Sequence, residues 1–78
     1  MNKATLSLAD LEVGQKALIA KIHTPDKDTL KKLIAMGLLP DTSITLIRKK
    51  PAYLFEIENS RFAVDGDLAK NIFVKLFS

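Results

Sequence analysis

Apolar and polar residues alternate in several short segments of the chain, and an alternation with a period of two predicts β-strands. The alternation is clear at residues 43–46, 54–58 and 61–64. Residues 16–22 form an earlier strand with apolar residues on both faces, which is typical of partial cover or of a bulge. Residues 72–76 form the last predicted strand.

The parity of these strands also predicts which side chains face the core. Phe55 and Ile57 fall on the inward face of one strand, and Phe62 and Val64 fall on the inward face of the next. Residues 59–60 form the two-residue connector of a hairpin between them. The acidic residues of the earlier strand, at positions 56 and 58, then face outward as a solvated pair.

A helix is predicted directly after the first strand. Thr24 can act as its N-cap and Pro25 suits its first position, while Asp26 and Asp28 complement the positive end of the helix dipole. The helix has one apolar face, which consists of Leu30, Leu33 and Ile34. Its lysines lie off that face.

The segment that follows this helix is the most informative part of the chain. Gly37 ends the helix in the left-handed conformation, and Leu38 is expected to fold back on the last turn. Pro40 then returns the chain to extended structure. Since Leu38 and Leu39 are adjacent, one interpretation leaves one of them outside, and the alternative packs both under the turn.

Two short helical turns are predicted in addition. Residues 7–10 carry a capping-box pattern, and Gly14 is expected to end the turn. Asp67 can cap a second turn that reaches Asn71. One strand, one helix and then four strands, all short and tightly joined, predict a mainly β fold: a small barrel around one core, with the short amphipathic α-helix over one end.

Composition narrows the class of protein. With 78 residues, the chain forms a single domain over residues 1–78. Its 47% apolar and 27% charged residues are typical of a globular protein. Without cysteine it holds no disulfide and no thiolate metal site. Residues 33–39 form the longest apolar stretch, which is too short for membrane insertion, and a cytoplasmic location is expected.

Catalytic chemistry is not indicated. The sequence has no glycine-rich phosphate loop, no zinc-protease pattern and no cysteine, so neither an enzyme nor a bound cofactor is expected. His23 near Asp26 and Asp28 could be drawn as a metal site. Those carboxylates already serve the helix dipole, so a solvent-exposed loop histidine is favoured and no metal site is expected.

A protein-binding surface is the stronger hypothesis. Cations around an exposed leucine would form an apolar centre with a basic rim, which suits an acidic partner. The candidate partner-binding residues are Lys31, Lys32, Met36, Leu38, Leu39 and Arg48. Residues 48–53 form a second basic candidate, in which Tyr53 could stack on a nucleic-acid base. The formal charge of +3 is only mildly basic, so ordinary solubility is favoured and nucleic acid is disfavoured as a partner.

The chain resembles the ferrous iron transport protein A (FeoA) family nearly from end to end. The resemblance rests on the segment 8–11, on Gly-Gln-Lys-Ala at 14–17 and above all on Met-Gly-Leu-Leu-Pro at 36–40. It implies an SH3-like small barrel and a cytosolic accessory protein of bacterial ferrous iron uptake. The implied partner is the FeoB-type transporter with its cytosolic GTP-binding domain, and self-association is left open.

The sequence departs from the family pattern in three places. Asp41 stands where family members often have Gly, and Asp tolerates the left-handed geometry. The turn at residues 51–53 is shorter than usual, and Val64 and Asp65 replace frequent basic residues. Because this domain also occurs fused to metal-dependent transcriptional regulators, a basic barrel that binds nucleic acid or acts in metal-dependent regulation is the alternative. The lack of a DNA-binding helix pair favours transport.

Overall fold

The computed structural model describes residues 6–76, which form six strands, two α-helices and one 3-10 turn. The strands are β1 (Leu6–Ser7), β2 (Lys16–Ile22), β3 (Ser43–Arg48), β4 (Tyr53–Ile57), β5 (Ser60–Val64) and β6 (Ile72–Lys75). The helices are α1 (Lys27–Ala35) and α2 (Gly66–Ala69), and the 3-10 turn is Leu8–Asp10. No helix within residues 6–76 has the length and apolar character needed to cross a membrane.

The strands form one antiparallel sheet in the order β1-β6-β2-β3-β4-β5. The pairing register shifts between Ile19 and Lys21 in β2 and between Leu46 and Arg48 in β3. Such bulges bend a strand and increase its twist, so the sheet curves around its buried face. The result is the SH3-like small barrel that was expected, with the predicted irregularity in β2.

Strand β1 was missed because two residues show no period. It exists through its pairing with the last strand, where Leu6 lies opposite Val74 and Ser7 opposite Phe73. Strand β3 is longer than predicted and includes Arg48, which the sequence had placed in the basic turn.

The core lies on the concave face of the sheet and confirms the predicted parity. Phe55 and Ile57 are buried, as is Val64, whereas Phe62 is only partly buried. The rings of Phe55 and Phe62 pack at a centroid distance of 5.9 Å. The core also takes in the following residues: Leu8, Leu11, Ala17, Ile19, Leu33, Leu38, Ile44, Leu46, Ala69, Ile72 and Val74.

The predicted caps of both helices are displaced by two residues. Helix α1 has Asp26 as its N-cap, so Thr24 and Pro25 precede the helix. Helix α2 is capped by Asp65, whose carboxylate accepts from the N–H of Leu68 at 2.8 Å, and Asp67 lies within the helix. The predicted residues, Thr24 and Asp67, are also of types that favour the N-cap position. The observed N-caps are the residues whose carboxylates reach the free N–H groups of the helix.

The turn at the start of the described chain keeps its predicted capping pair. The carboxylate of Asp10 accepts from the backbone N–H of Ser7 at 2.9 Å and from its hydroxyl at 3.2 Å. The 3-10 turn ends at Asp10 and not at Gly14, which lies in the turn before β2.

The turn of the β4–β5 hairpin lies one residue earlier in the chain than predicted. Ile57 pairs directly with Ser60, so the connector is Glu58-Asn59. Glu58 takes a φ of 56° there. It therefore belongs to the turn, and only Glu56 remains on the outward face of β4.

Candidate docking surface

Helix α1 is capped by hydrogen bonds at both ends, and these caps define which residues belong to the helix. At the start, the Asp26 carboxylate accepts from the N–H of Asp28 at 3.0 Å and from the hydroxyl of Thr29 at 2.8 Å. The Thr29 hydroxyl first, and then the Asp28 N–H, hold the pKa of Asp26 below its ordinary value. Both bonds stabilise the charged carboxylate at the positive end of the helix.

The other end of α1 closes in a Schellman motif. The N–H of Gly37 donates to the carbonyl of Ile34 at 3.0 Å, and the N–H of Leu38 donates to that of Leu33 at 3.0 Å. Gly37 has a φ of 104°, as the left-handed position of this motif requires. This confirms the predicted helix stop.

The motif separates the two leucines that follow it. Leu38 is 1% exposed and belongs to the core, whereas Leu39 is 46% exposed. Leu38 was named as a partner-binding residue, and its burial is a correction because the side chain is used for packing. Of the two sequence interpretations, the one that leaves one leucine outside is right.

Ile34 is the residue that the sequence reasoning missed. It was assigned to the inward face with Leu30 and Leu33, yet it is 44% exposed. Adjacent helix positions point about 100° apart. With Leu33 buried at 3% and Ile34 44% exposed, Ile34 lies at the margin of the packed face. The i, i+3, i+4 spacing is compatible with either position of Ile34, so the sequence carried no signal for its exposure.

The lysines border this apolar area on two sides. Lys31 stands three residues before Ile34, and Lys32 stands four residues before the half-buried Met36, so each pair shares one side of the helix. Both lysines are exposed. Within residues 6–76 the ion pairs are Arg61–Glu56 and Lys75–Asp41, so neither Lys31 nor Lys32 forms one. Lys32 is near enough to the Asp26 carboxylate to help lower its pKa. We call Lys31, Lys32, Ile34, Met36 and Leu39 the α1-end surface.

Arg48 is not brought to this surface. Strand β3 begins at Ser43, next to the turn that contains Leu39, and ends at Arg48. Five residue steps along a strand span roughly 16 Å. The exposed Arg48 therefore lies at the far end of β3, and the predicted three-cation rim reduces to Lys31 and Lys32.

The second basic candidate has no free aromatic platform. Tyr53 was expected outside, but it is half-buried against the core. A Cβ added to Gly66 would lie 3.6 Å from Tyr53 Cε1, so the ring lies over the first residue of α2. Residues 49–52, after Arg48 at the end of β3, then form a basic turn beside a packed tyrosine, which fits the structural interpretation of a solubilising hairpin turn.

The histidine and its neighbouring carboxylates do not converge. Within the described part of the chain, no three His, Cys, Asp or Glu side chains are grouped closely enough to hold a metal ion. His23 is exposed. Its backbone N–H donates to the carbonyl of Asn71 at 2.8 Å, which ties the end of β2 to the start of β6. The carboxylate of Asp26 is occupied by the helix cap.

An open groove of about 440 Å³ lies on the outer face of the sheet. Its lining residues are Lys16, Thr42, Ser43, Thr45, Glu56 and Glu58. The two carboxylates thus border a concavity and not a flat face. Glu56 is engaged by Arg61, with Nε–Oε2 at 3.7 Å, and Glu58 lies in the hairpin turn. Acid–base chemistry would require the two carboxylates to act as a pair, and these two carboxylates are not arranged in that way.

Comparison with solved structures shows the same fold in several proteins. An iron uptake regulatory protein (FeoA) has a TM-score of 0.79 and 23% identity, and the match covers 94% of this chain and 97% of that one. The FeoA protein from Chlorobium tepidum has a TM-score of 0.86 and 16% identity, with 94% and 71% covered.

A longer protein contains the fold as one part. A manganese-dependent transcriptional repressor matches with a TM-score of 0.85 and 14% identity over 99% of this chain and 39% of that one. No curated protein sequence matches the chain significantly. The family model described as FeoA domain matches residues 6–76, and the chain therefore belongs to the FeoA domain family.

Proposed function

We propose that this protein is a cytosolic accessory protein of ferrous iron uptake that binds the cytosolic part of a FeoB-type GTPase transporter. Membership of the FeoA domain family supports a role related to ferrous iron transport. The observation that carries the docking site is the α1-end surface. It combines two exposed large apolar residues of the α1 end, Ile34 and Leu39, with two exposed lysines that form no ion pair within residues 6–76.

The chemistry of this surface defines its partner. Ile34 and Leu39 would fill a shallow apolar site, with Met36 as an adaptable neighbour. Lys31 and Lys32 would face carboxylates at the rim, where opposite charge speeds association and orients the partner. The mode of action is binding, and it requires no chemical step in this protein.

Direct binding tests the proposal. The purified cytosolic part of the FeoB-type transporter from the same organism is titrated with the wild-type protein and with Lys31→Glu/Lys32→Glu. The double reversal should weaken binding about tenfold or more, because an attractive rim becomes repulsive. Lys21→Glu/Lys70→Glu is the matched control, since both lysines are exposed outside the surface and the change in net charge is the same.

The apolar centre is tested separately. Leu39→Ser should weaken binding, whereas Val13→Ser should not, because Val13 is also apolar and 60% exposed but belongs to another loop. Equal affinity of the wild type and both surface variants would remove the α1-end surface from the proposal. Absence of any binding by the wild type would remove the transporter as the partner.

The cellular role is tested by uptake. Initial ferrous iron uptake is measured in cells that lack only this protein, with and without its restoration. A loss that wild-type protein restores and Lys31→Glu/Lys32→Glu does not would join the surface to transport. Normal uptake during anaerobic, iron-limited growth would contradict the proposed function.

A further inference from the structure

Strand β5 forms one edge of the sheet. It follows β4 at the end of the strand order, and within residues 6–76 it pairs with no other strand. An edge strand presents backbone donors and acceptors that can pair with another chain. The opposite edge, β1, comprises two residues within the described range 6–76, so β5 is the longer template there.

The hairpin register shows which groups of β5 are free. Ile57 and Ser60 close a two-residue turn as a hydrogen-bonded pair, and hydrogen-bonded pairs alternate along the ladder. The N–H and C=O groups of Ser60, Phe62 and Val64 therefore face β4. Those of Arg61 and Ala63 point away from the sheet, and no backbone hydrogen bond from the rest of the described chain reaches them.

Within residues 6–76 the edge of β5 carries little that guards it. Proteins guard exposed edges with Pro, with bulges or with charged side chains, and β5 has neither Pro nor a bulge in its five-residue register with β4 and carries one charged residue, Arg61. The side chains of Ser60 and Ala63 are small and exposed. Arg61 is turned back to Glu56, with Nε–Oε2 at 3.7 Å.

Phe62 adds an apolar centre to the edge. It lies in the middle of β5 and is only partly buried, although it packs on Phe55. Phe62 stands between Arg61 and Ala63, the two positions with free backbone groups. A strand added to this edge would run beside Phe62.

We propose that two copies of this chain pair through β5, antiparallel and centred on Phe62. In that register Arg61 and Ala63 of one copy form hydrogen-bonded pairs with Ala63 and Arg61 of the other, so the two-fold symmetry uses the free backbone groups of both copies. The two Phe62 side chains form the central pair without hydrogen bonds, where side chains approach most closely. Phe55 and Phe62 of both copies then form one aromatic row.

A second copy suits this edge better than an unrelated acidic segment. The register is self-complementary, with small residues opposite Arg61 and an aromatic opposite itself. Arg61 is already paired with Glu56 of its own chain, so an acidic partner is not needed to balance its charge. The α1-end surface is made of other residues and stays free in the pair.

Amide hydrogen exchange of the wild-type protein tests the pairing directly. It is measured by NMR at about 0.05 mM and about 2 mM protein, a range chosen for the weak association expected of a small interface. The amides of Arg61 and Ala63 should exchange roughly twofold or more slowly at the high concentration. The amides of Phe62 and Val64 bond to β4 in either state and should change little.

A pair of variants checks the cause. Ala63→Pro removes a donor that faces away from β4 and should abolish the concentration dependence at Arg61. Ala63→Ser keeps the donor and should retain it. Slow exchange of the Phe62 and Val64 amides shows that each variant is folded. If Ala63→Pro does not fold, the concentration dependence of exchange in the wild-type protein decides whether the two copies pair.

Salt separates this pairing from docking to the transporter. Each copy carries a formal charge of +3, so added salt should favour self-association while it weakens binding of the basic α1-end surface to an acidic partner. Concentration-independent exchange at Arg61 and Ala63 would overturn the proposal. So would protection of these amides that appears only with the transporter, or a dimer that protects other amides instead.

Discussion

The backbone N–H of Leu38 donates to the carbonyl oxygen of Leu33 at 3.0 Å, across the end of α1. This bond fixes the direction in which the chain leaves the helix. It places Leu38 in the core and leaves Leu39 in solvent. One local motif thus joins the stability of the barrel to the surface proposed for partner binding, through two adjacent residues of the same type.

Gly37→Ala should destabilise the protein by about 1–2 kcal/mol, the usual cost of a left-handed conformation for a residue with a Cβ. The cause is the backbone φ of 104°. Crowding is not the cause, since an added Cβ would lie 3.7 Å from Ile57 Cγ2, an ordinary contact. Urea denaturation measures the loss as a lower midpoint with an unchanged slope.

Gly66→Ala is the matched control. Gly66 is the first residue of α2, and its φ is not positive. A Cβ added at Gly66 would also make one ordinary contact. The change should be neutral or stabilise the fold by up to about 1 kcal/mol, because it restricts the unfolded chain. Equal losses for the two variants would mean that space, and not conformation, governs Gly37.

Truncation of the two leucines should give opposite results for stability and binding. Leu38→Ala should cost about 2–5 kcal/mol, as for other buried leucines. Leu39→Ala should change the free energy of unfolding by less than about 0.5 kcal/mol, as for other surface positions, while it weakens transporter binding. Thermal or urea denaturation gives the first comparison, and a large loss of stability in Leu39→Ala would contradict the assignment.

Five of the six strands in the described chain could be predicted from the sequence because each is long enough to show a pattern of apolar residues. The inward parity of Phe55 and Ile57 followed from the alternation in their strand alone. The two-residue strand β1 could not be found in this way, since it depends on a pairing between Leu6 and Val74 at opposite ends of the chain. Local periodicity carries no information about such a pairing.

The caps show a second limit. Thr24 and Asp26 are both good N-caps, and so are Asp65 and Asp67, so residue type leaves a two-residue ambiguity. The choice depends on which side chain reaches the free N–H groups. The docking surface shows the same limit at longer range, because the separation of Arg48 from Leu39 depends on the direction of β3.

The Asp26 cap makes the start of α1 sensitive to acid. Its pKa is lowered in the folded protein from an ordinary value of 3.8, chiefly by the Thr29 hydroxyl and then by the Asp28 N–H. A carboxyl with a depressed folded pKa stabilises fully above its unfolded pKa, and this contribution is lost as the pH falls below 3.8 through the folded pKa. The NMR titration of the Asp26 carboxyl should show a midpoint below 3.8.

Asp26→Asn isolates this effect. The variant should be less stable than the wild type at neutral pH, and the difference should shrink as the pH falls below 3.8. Asp28→Asn is the control, since its side chain accepts none of the hydrogen bonds found in the described chain. A constant difference across the acid range would show that the Asp26 charge does not contribute.

Asp41 combines a left-handed backbone conformation with an exposed ion pair, and the two contributions can be separated. Its φ is 68°, and its Oδ1 lies 2.9 Å from Lys75 Nζ, with the side chains 72% and 57% exposed. Asp41→Ala should lose about 1 kcal/mol or more, since alanine is strained in this conformation, and Asp41→Gly should lose less. Lys75→Ala removes only the ion pair and should cost less than about 1 kcal/mol.

Salt distinguishes the backbone contribution of Asp41 from that of its ion pair. The effect of Lys75→Ala on the free energy of unfolding should vanish in about 1 M salt, where the screening length is on the order of 3 Å. The stability difference between the Asp41→Ala and Asp41→Gly variants should persist, because neither variant carries the carboxylate. If Asp41→Gly were as unstable as Asp41→Ala at both salt concentrations, the backbone explanation would fail and the carboxylate itself would be the stabilising group.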